Sequence, residues 1–204
     1  MLSQFRKEAE HHRTLAELYP FPKDIYPVGR LDRDSEGLLI LTNDPRLNTR
    51  LLSPEAGHWR TYWARVEGKA GPKDLERLRN GLTFKANKRQ YKSLPAKAEL
   101  LHQAIPDDEH NLPGRFRPAG VQERNPPVRY RKSVADAWLE LQLREGKNRQ
   151  VRKMCASVGL PVLRLIRAAI GNLQLADLEG ESVKEVEWSW LKSRIFPSNK
   201  THAS

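Results

Sequence analysis

The sequence predicts a domain that mixes helices and strands, and three observations carry that expectation. Leu139, Leu141 and Leu143 alternate with Trp138, Glu140 and Gln142, the period-two pattern of a half-buried strand. Just beyond, Val151, Met154, Cys155 and Val158 share one helical stripe, while Arg149, Arg152 and Lys153 fall on the opposite side. A chain of 204 residues with 38% hydrophobic content can also bury one sizeable core, as a compact domain of two lobes.

Taken in order, Phe5 to Tyr19 has the polar make-up of an exposed helix, and Pro20, Pro22 and Pro27 then favour extended connections. Ile25 to Leu31 and Leu38 to Leu41 are expected as strands on either side of an acidic turn. Asn43-Asp44-Pro45 starts a helix through Arg46 to Leu52, with a capping side chain ahead of proline. Strand character returns at Thr61 to Val66. A helix opens after Gly71-Pro72, with Leu75, Leu78 and Leu82 on one face, until Asn80-Gly81 breaks it. Residues 103–132 are expected as a long loop, since prolines, glycines and charges dominate from Ile105 onward, and a loop of that length is functional more often than connective. Leu160 to Ile170 is another strand. Trp188 and Trp190 are packing anchors rather than base-stacking platforms, and 196–204 is a disordered tail. No internal repeat is visible.

Charge narrows the class of partner. Lys and Arg outnumber Asp and Glu by 36 to 25, for a net +11, which favours a polyanion. A basic membrane-surface protein is the competitor, but no apolar run approaches the roughly 18 residues of a transmembrane helix, and no signal peptide opens the chain. Cys155 is the single cysteine, so neither a disulfide framework nor a zinc site is available, and a reducing cytoplasm is the simplest address.

The acidic turn is the most informative stretch. Asp32, Asp34 and Glu36 stand just ahead of Leu38 to Leu41, a place suited to a rigidly held catalytic group. Asp32-x-Asp34-x-Glu36-Gly37 imitates the opening of a calcium loop, but the twelfth position is Asn43, which cannot supply a bidentate carboxylate, and the second half is too apolar. The plain alternative is a polar turn capped by Asp34 or Ser35, in which case Asp34→Asn leaves substantial activity.

Three ordered motifs then point further. Gly29-Arg30-Leu31-Asp32-x-Asp34-Ser35-x-Gly37-Leu38 resembles the catalytic motif of the RsuA/RluB/RluE/RluF family of ribosomal RNA pseudouridine synthases. Arg60-Thr61-Tyr62, continuing to Val66-Glu67-Gly68, is similar to that family's Lys-x-Tyr strand. Glu145-Gly146-Lys147-Asn148-Arg149-Gln150-Val151-Arg152-Lys153-Met154 resembles its third motif almost residue for residue. The likeness covers about residues 24–185. Arg124 to Arg129 and Leu163 to Arg167 look most like the RluE branch, and three motifs in order form a specific signal.

The resemblance implies an α+β catalytic domain over residues 1–195, built around a mixed, largely antiparallel sheet with the active cleft across its middle. Family members of this branch generally carry an additional first strand with a Lys-Pro pair, and this chain begins at Met1-Leu2-Ser3-Gln4, as if just after it. It also shows no small N-terminal RNA-binding domain. The implied reaction turns a uridine of large-subunit ribosomal RNA into pseudouridine, with no cofactor or metal, in a monomer. Asp32 is the catalytic carboxylate, as nucleophile or as base. Arg152 is its ion-pair partner, and Tyr62 stacks on the uracil and takes part in proton transfer. Arg30, Arg33, Lys147, Arg149, Lys153, Arg164 and Arg167 are the candidate RNA contacts, Arg30 where the uridine is extruded from the stack. A non-catalytic RNA-binding or ribosome-assembly protein would share the basic surface without needing Asp32, Tyr62 and Arg152 together. A retaining glycoside hydrolase could use two close carboxylates, but the positive charge and the lack of an aromatic-rich sugar cleft argue against it.

Overall fold

Alternation and capping place most elements where their residues demand. The computed structural model describes residues 1–53, 57–86, 89–106, 113, 116–129 and 131–196. Three short strands, β1 (Tyr26–Pro27), β2 (Ser35–Gly37) and β3 (Leu41–Thr42), precede helix α1 (Pro45–Leu52), whose first turn is capped by the Asp44 side chain accepting from the Arg46 amide. Strand β4 (Arg60–Glu67) leads to α2 (Pro72–Asn80), a hairpin of β5 (Thr83–Ala86) and β6 (Arg89–Lys92), and β7 (Lys97–Ala104). Then come β8 (Asp136–Leu143), α3 (Gln150–Ser157), β9 (Val162–Ile170), β10 (Leu173–Gln174) and α4 (Trp188–Ile195).

Six strands form the central sheet, in the order β10, β9, β4, β8, β7 with β2 also on β9. Every pairing is antiparallel except β2 on β9, where Glu36 lies opposite Ile166. The fold is α+β with a mixed, largely antiparallel sheet. One apolar cluster lies between this sheet and α2, α3 and the β5–β6 hairpin, and includes Val66, Leu78, Leu139, Leu141, Met154 and Leu165. A second unites Val28, Leu38, Ile40, Leu47, Leu51, Leu191 and Ile195, joining the β1–β3 region to α1 and α4. The acidic stretch touches both clusters: it runs into Leu38 of the second and pairs with β9, whose Leu165 belongs to the first. Among the described residues, no helix is long and apolar enough to cross a membrane.

Four expectations are corrected. Phe5 to Tyr19 is not a helix but an irregular segment with a single 3-10 turn at Leu15–Glu17. Its ends are drawn together, because the Leu2 amide donates to Arg13 O and the Leu15 amide to Gln4 O; a helix of that length would hold them about 20 Å apart. Secondly, the acidic turn covers Asp32 to Ser35, but its last acid, Glu36, lies in a strand, since Ser35–Gly37 is β2. The apolar residues after it are mostly extended loop, and of them only Leu41 lies in a strand, β3. Thirdly, the first half of β8 is buried on both faces, while Glu140 and Gln142 stay half-buried as the alternation requires: Trp138 is 1% exposed, its indole donates to Phe116 O at 3.0 Å, and the Phe116 ring stacks on His102. The described parts of 105–132 form neither helix nor strand, and residues 116–124 lie on one face of the sheet as a strap, from Phe116 on His102 to Arg124 beside Glu36. Finally, Phe196 is packed rather than disordered, with the Arg50 guanidinium 4.1 Å from its ring centroid. The remainder of the expected tail, 197–204, lies outside the described residues.

On the strap side of the sheet, Arg65 and Asp136 form a buried ion pair, with Arg65 Nε donating to Asp136 Oδ2 at 2.8 Å. Removing one member of such a pair strands a charge in a low-dielectric site, at about 3–5 kcal/mol. Asp136→Ala is therefore expected to lower the melting temperature by on the order of 10 °C. A thermal melt followed by circular dichroism checks this, and an unchanged midpoint refutes it.

Candidate active site

The acidic segment folds as it does because β9 leaves no alternative. Gly37 has φ +102°, and a Cβ there would lie 2.3 Å from the backbone oxygen of Arg167, so only glycine admits the close approach of the two strands. The Leu38 amide then donates to Arg167 O at 2.9 Å. Upstream, the Ser35 amide donates to Asp32 O, so the turn is closed by backbone and not by the Asp34 side chain.

Each acidic group goes its own way. Asp34 is clamped by α3 and the residue before it: Arg149 Nη1 and Nη2 donate to its two carboxylate oxygens at 3.0 Å each, a bidentate pair. Arg152 adds its Nη2, 2.9 Å from Asp34 O and 3.3 Å from Asp34 Oδ2, and braces itself with Nη1 on Val162 O. Partial burial works to raise the Asp34 pKa, but the Arg149 hydrogen bonds and the Arg152 charge outweigh it and hold the carboxyl below its ordinary value. Glu36 pairs with Arg164, whose Nε and Nη2 donate at 3.1 and 2.8 Å, and Arg124 of the strap stands 3.5 Å away. Asp32 accepts no side-chain hydrogen bond among the described residues; its nearest cation is Arg149 Nη1 at 4.0 Å, and the side chain is 29% exposed.

Arg152 thus sits on Asp34, not on Asp32 as the motif order suggested. Its guanidinium is largely buried and its pKa is lowered, chiefly by desolvation and against the pull of Asp34. Arg149 adopts the left-handed conformation, φ 52°, at the start of α3, which swings its side chain toward the acidic stretch. The turn before it is locked by Gln150, which accepts from the Lys147 amide and donates to Glu145.

Tyr62, on β4, is half-buried, packs on the first apolar cluster and lies opposite Arg167 in the sheet register. Of the candidate RNA contacts, Arg30, Arg33, Lys147 and Arg149 are exposed and Lys153 is half-buried, its Nζ held by Asn148. Arg164 and Arg167 are buried, at 6% and 5% exposure, and face neighbouring side chains instead of solvent. The signal for this was present: both cations are embedded in the apolar run from Val162 to Ile170, where an unpaired charge would be costly. Cys155 is buried, and burial pushes its thiol up to about 12, which makes it inert.

Comparison with known proteins then settles the class. The family model for RNA pseudouridylate synthase matches residues 2–157. The chain belongs to the RNA pseudouridylate synthase family. It is 41% identical over 186 residues to the ribosomal large subunit pseudouridine synthase E of Vibrio parahaemolyticus, covering 91% of this chain and 69% of that one. With the protein of the same name from Xanthomonas axonopodis pv. citri it shares 45% over 176 residues, 86% and 83% of the two chains. A crystal structure of a pseudouridylate synthase superposes with a TM-score of 0.65 at 22% identity, over 91% of this chain and 66% of that one, which shows the shared fold. The enzyme class of this synthase, an isomerase acting on RNA, follows from family membership.

Proposed function

We propose that this synthase converts a uridine of large-subunit ribosomal RNA to pseudouridine, with Asp32 as the catalytic carboxylate. One observation carries the choice of residue: of the three acidic side chains on the segment, Asp34 and Glu36 are each held by two arginines, and Asp32 is left open to a substrate. The relatives at 41% and 45% identity are named for the large ribosomal subunit, which supports the substrate class.

In the reaction the bond between C1′ and N1 breaks, the base turns, and C5 bonds to C1′. N1 gains a proton and C5 loses one, so nothing is oxidised. Asp32 acts at the sugar, with the Arg149 guanidinium 4.0 Å from its carboxylate. Tyr62 offers a ring for the uracil and a phenol for the C5 proton. The target base must leave its stack to reach these groups, and Arg30 and Arg33, exposed on either side of Asp32, are placed to meet the phosphates around it. Arg152 organises the segment through Asp34.

Pseudouridine mapping of ribosomal RNA from cells with and without the gene tests activity and target together. Loss of one large-subunit site is expected, and an unchanged map refutes the proposal. Binding supplies an independent check. With Arg30, Arg33, Lys147, Arg149 and Lys153 meeting phosphates, log K for RNA should fall linearly with log salt at a slope of about −3.5 to −4.5, through counterion release. A flat response in a filter-binding series removes this surface as the RNA site.

A further inference from the structure

Arg167 is the least expected group at the site. It is a guanidinium buried inside the sheet, 5% exposed, that forms no ion pair with any carboxylate among the described residues. Its Nε donates to Leu38 O at 2.7 Å, and its own backbone oxygen receives the Leu38 amide at 2.9 Å, so it grips the end of the Asp32 segment from two sides. Gly37 lies flat against the same backbone, where a Cβ would meet Arg167 N at 2.7 Å. Across the sheet, Arg167 is the cross-strand partner of Tyr62 in the β4–β9 register, which sets the two side chains next to each other on one face. Nη2 is fully buried and has no hydrogen-bond partner among the described residues.

Burying an unpaired cation is costly, and a packing role alone would be served better by Leu or Met. What a guanidinium adds is several donors in one rigid plane, so that a single side chain can hold two separate elements in a fixed relation. We propose that Arg167 is the positioning residue that sets Tyr62 relative to Asp32, by binding the Leu38 carbonyl with Nε and the Tyr62 phenol with the rest of its plane. The inference rests on the assignment of Asp32 and Tyr62 to the site. It replaces RNA contact as the role of this arginine, which does not reach the surface.

Arg167→Lys keeps the charge but loses the plane, so one ammonium can serve Leu38 or Tyr62 but not both. The single-turnover rate of pseudouridine formation should fall about 10- to 100-fold, the effect of small misplacement of reacting groups, with RNA affinity within about twofold of wild type. Because the arginine acts through the phenol, the double variant Tyr62→Phe/Arg167→Lys should be no slower than Tyr62→Phe alone. Losses that multiply, or a wild-type rate for Arg167→Lys, overturn the proposal. The pair is also read without turnover: Tyr62→Phe removes a partner of the buried cation and should lower the melting temperature, and Arg167→Met in that background should recover it. If Tyr62→Phe melts at or above wild type, the pair does not exist, even where Arg167→Lys fails to fold. Should the unmodified chain form no pseudouridine, the proposed function fails, while the melting temperatures still decide the pairing.

Discussion

Asp32→Asn is expected to reduce pseudouridine formation to background while RNA binding survives. The amide keeps the size and shape of the carboxylate and removes its charge, and no hydrogen bond to the side chain is lost, since none is present among the described residues. The backbone bond from Ser35 to Asp32 O is untouched. A positioned proton-transfer group alone supplies about 10²- to 10⁴-fold, and a nucleophile more, so the loss is at least of that order in either role. Affinity should hold or rise slightly, because one anion fewer stands among Arg30, Arg33 and Arg149. Tritium release from 5-tritiated uridine in ribosomal RNA measures the first part, and filter binding the second. A folded variant with near wild-type turnover ends the assignment.

How much of this was legible in the sequence depends on whether local or distant groups decide each feature. Helices α1 and α2 lie where Asp44-Pro45 and Gly71-Pro72 open them, because caps and prolines act within one turn. The stripe of Val151, Met154 and Cys155 is the buried face of α3, as its spacing requires. Phe5 to Tyr19 failed because strong helix formers yield when tertiary hydrogen bonds fix both ends of a segment, here Leu2 on Arg13 and Leu15 on Gln4. At the site, the motifs located the acidic segment and the α3 cations but not their pairing. Whether Arg152 meets Asp32 or Asp34 is decided by β2 lying parallel to β9 and by the left-handed Arg149, neither of which leaves a periodic trace. The burial of Arg164 and Arg167 depends likewise on the strap and on β4, elements distant in the chain.

That pairing changes what Asp34→Asn should do. As a turn cap, Asp34 could be replaced at little cost; as the shared acceptor of Arg149 and Arg152, it holds α3 against the acidic segment. With its charge removed, Arg149 is left with Asp32 as its nearest carboxylate, 4.0 Å away in the intact site. It should close on Asp32, capping the one open acid and shifting the segment, so the rate is expected to drop about 10- to 100-fold with binding little changed. Adding Arg149→Met to Asp34→Asn should restore part of that rate, since it removes the intruding cation; no recovery would count against capture of Asp32. The pH dependence separates this from a titration effect. The folded pKa of Asp34 lies below its ordinary 3.8, so the ion pairs contribute in full above that value and are lost only as pH falls through the lower folded one. The rate gap between wild type and Asp34→Asn should therefore stay constant from about pH 5 to pH 8, and any difference in melting temperature should shrink only in stronger acid. A gap that closes between those values would mean that another group, not the Asp34 clamp, sets the rate.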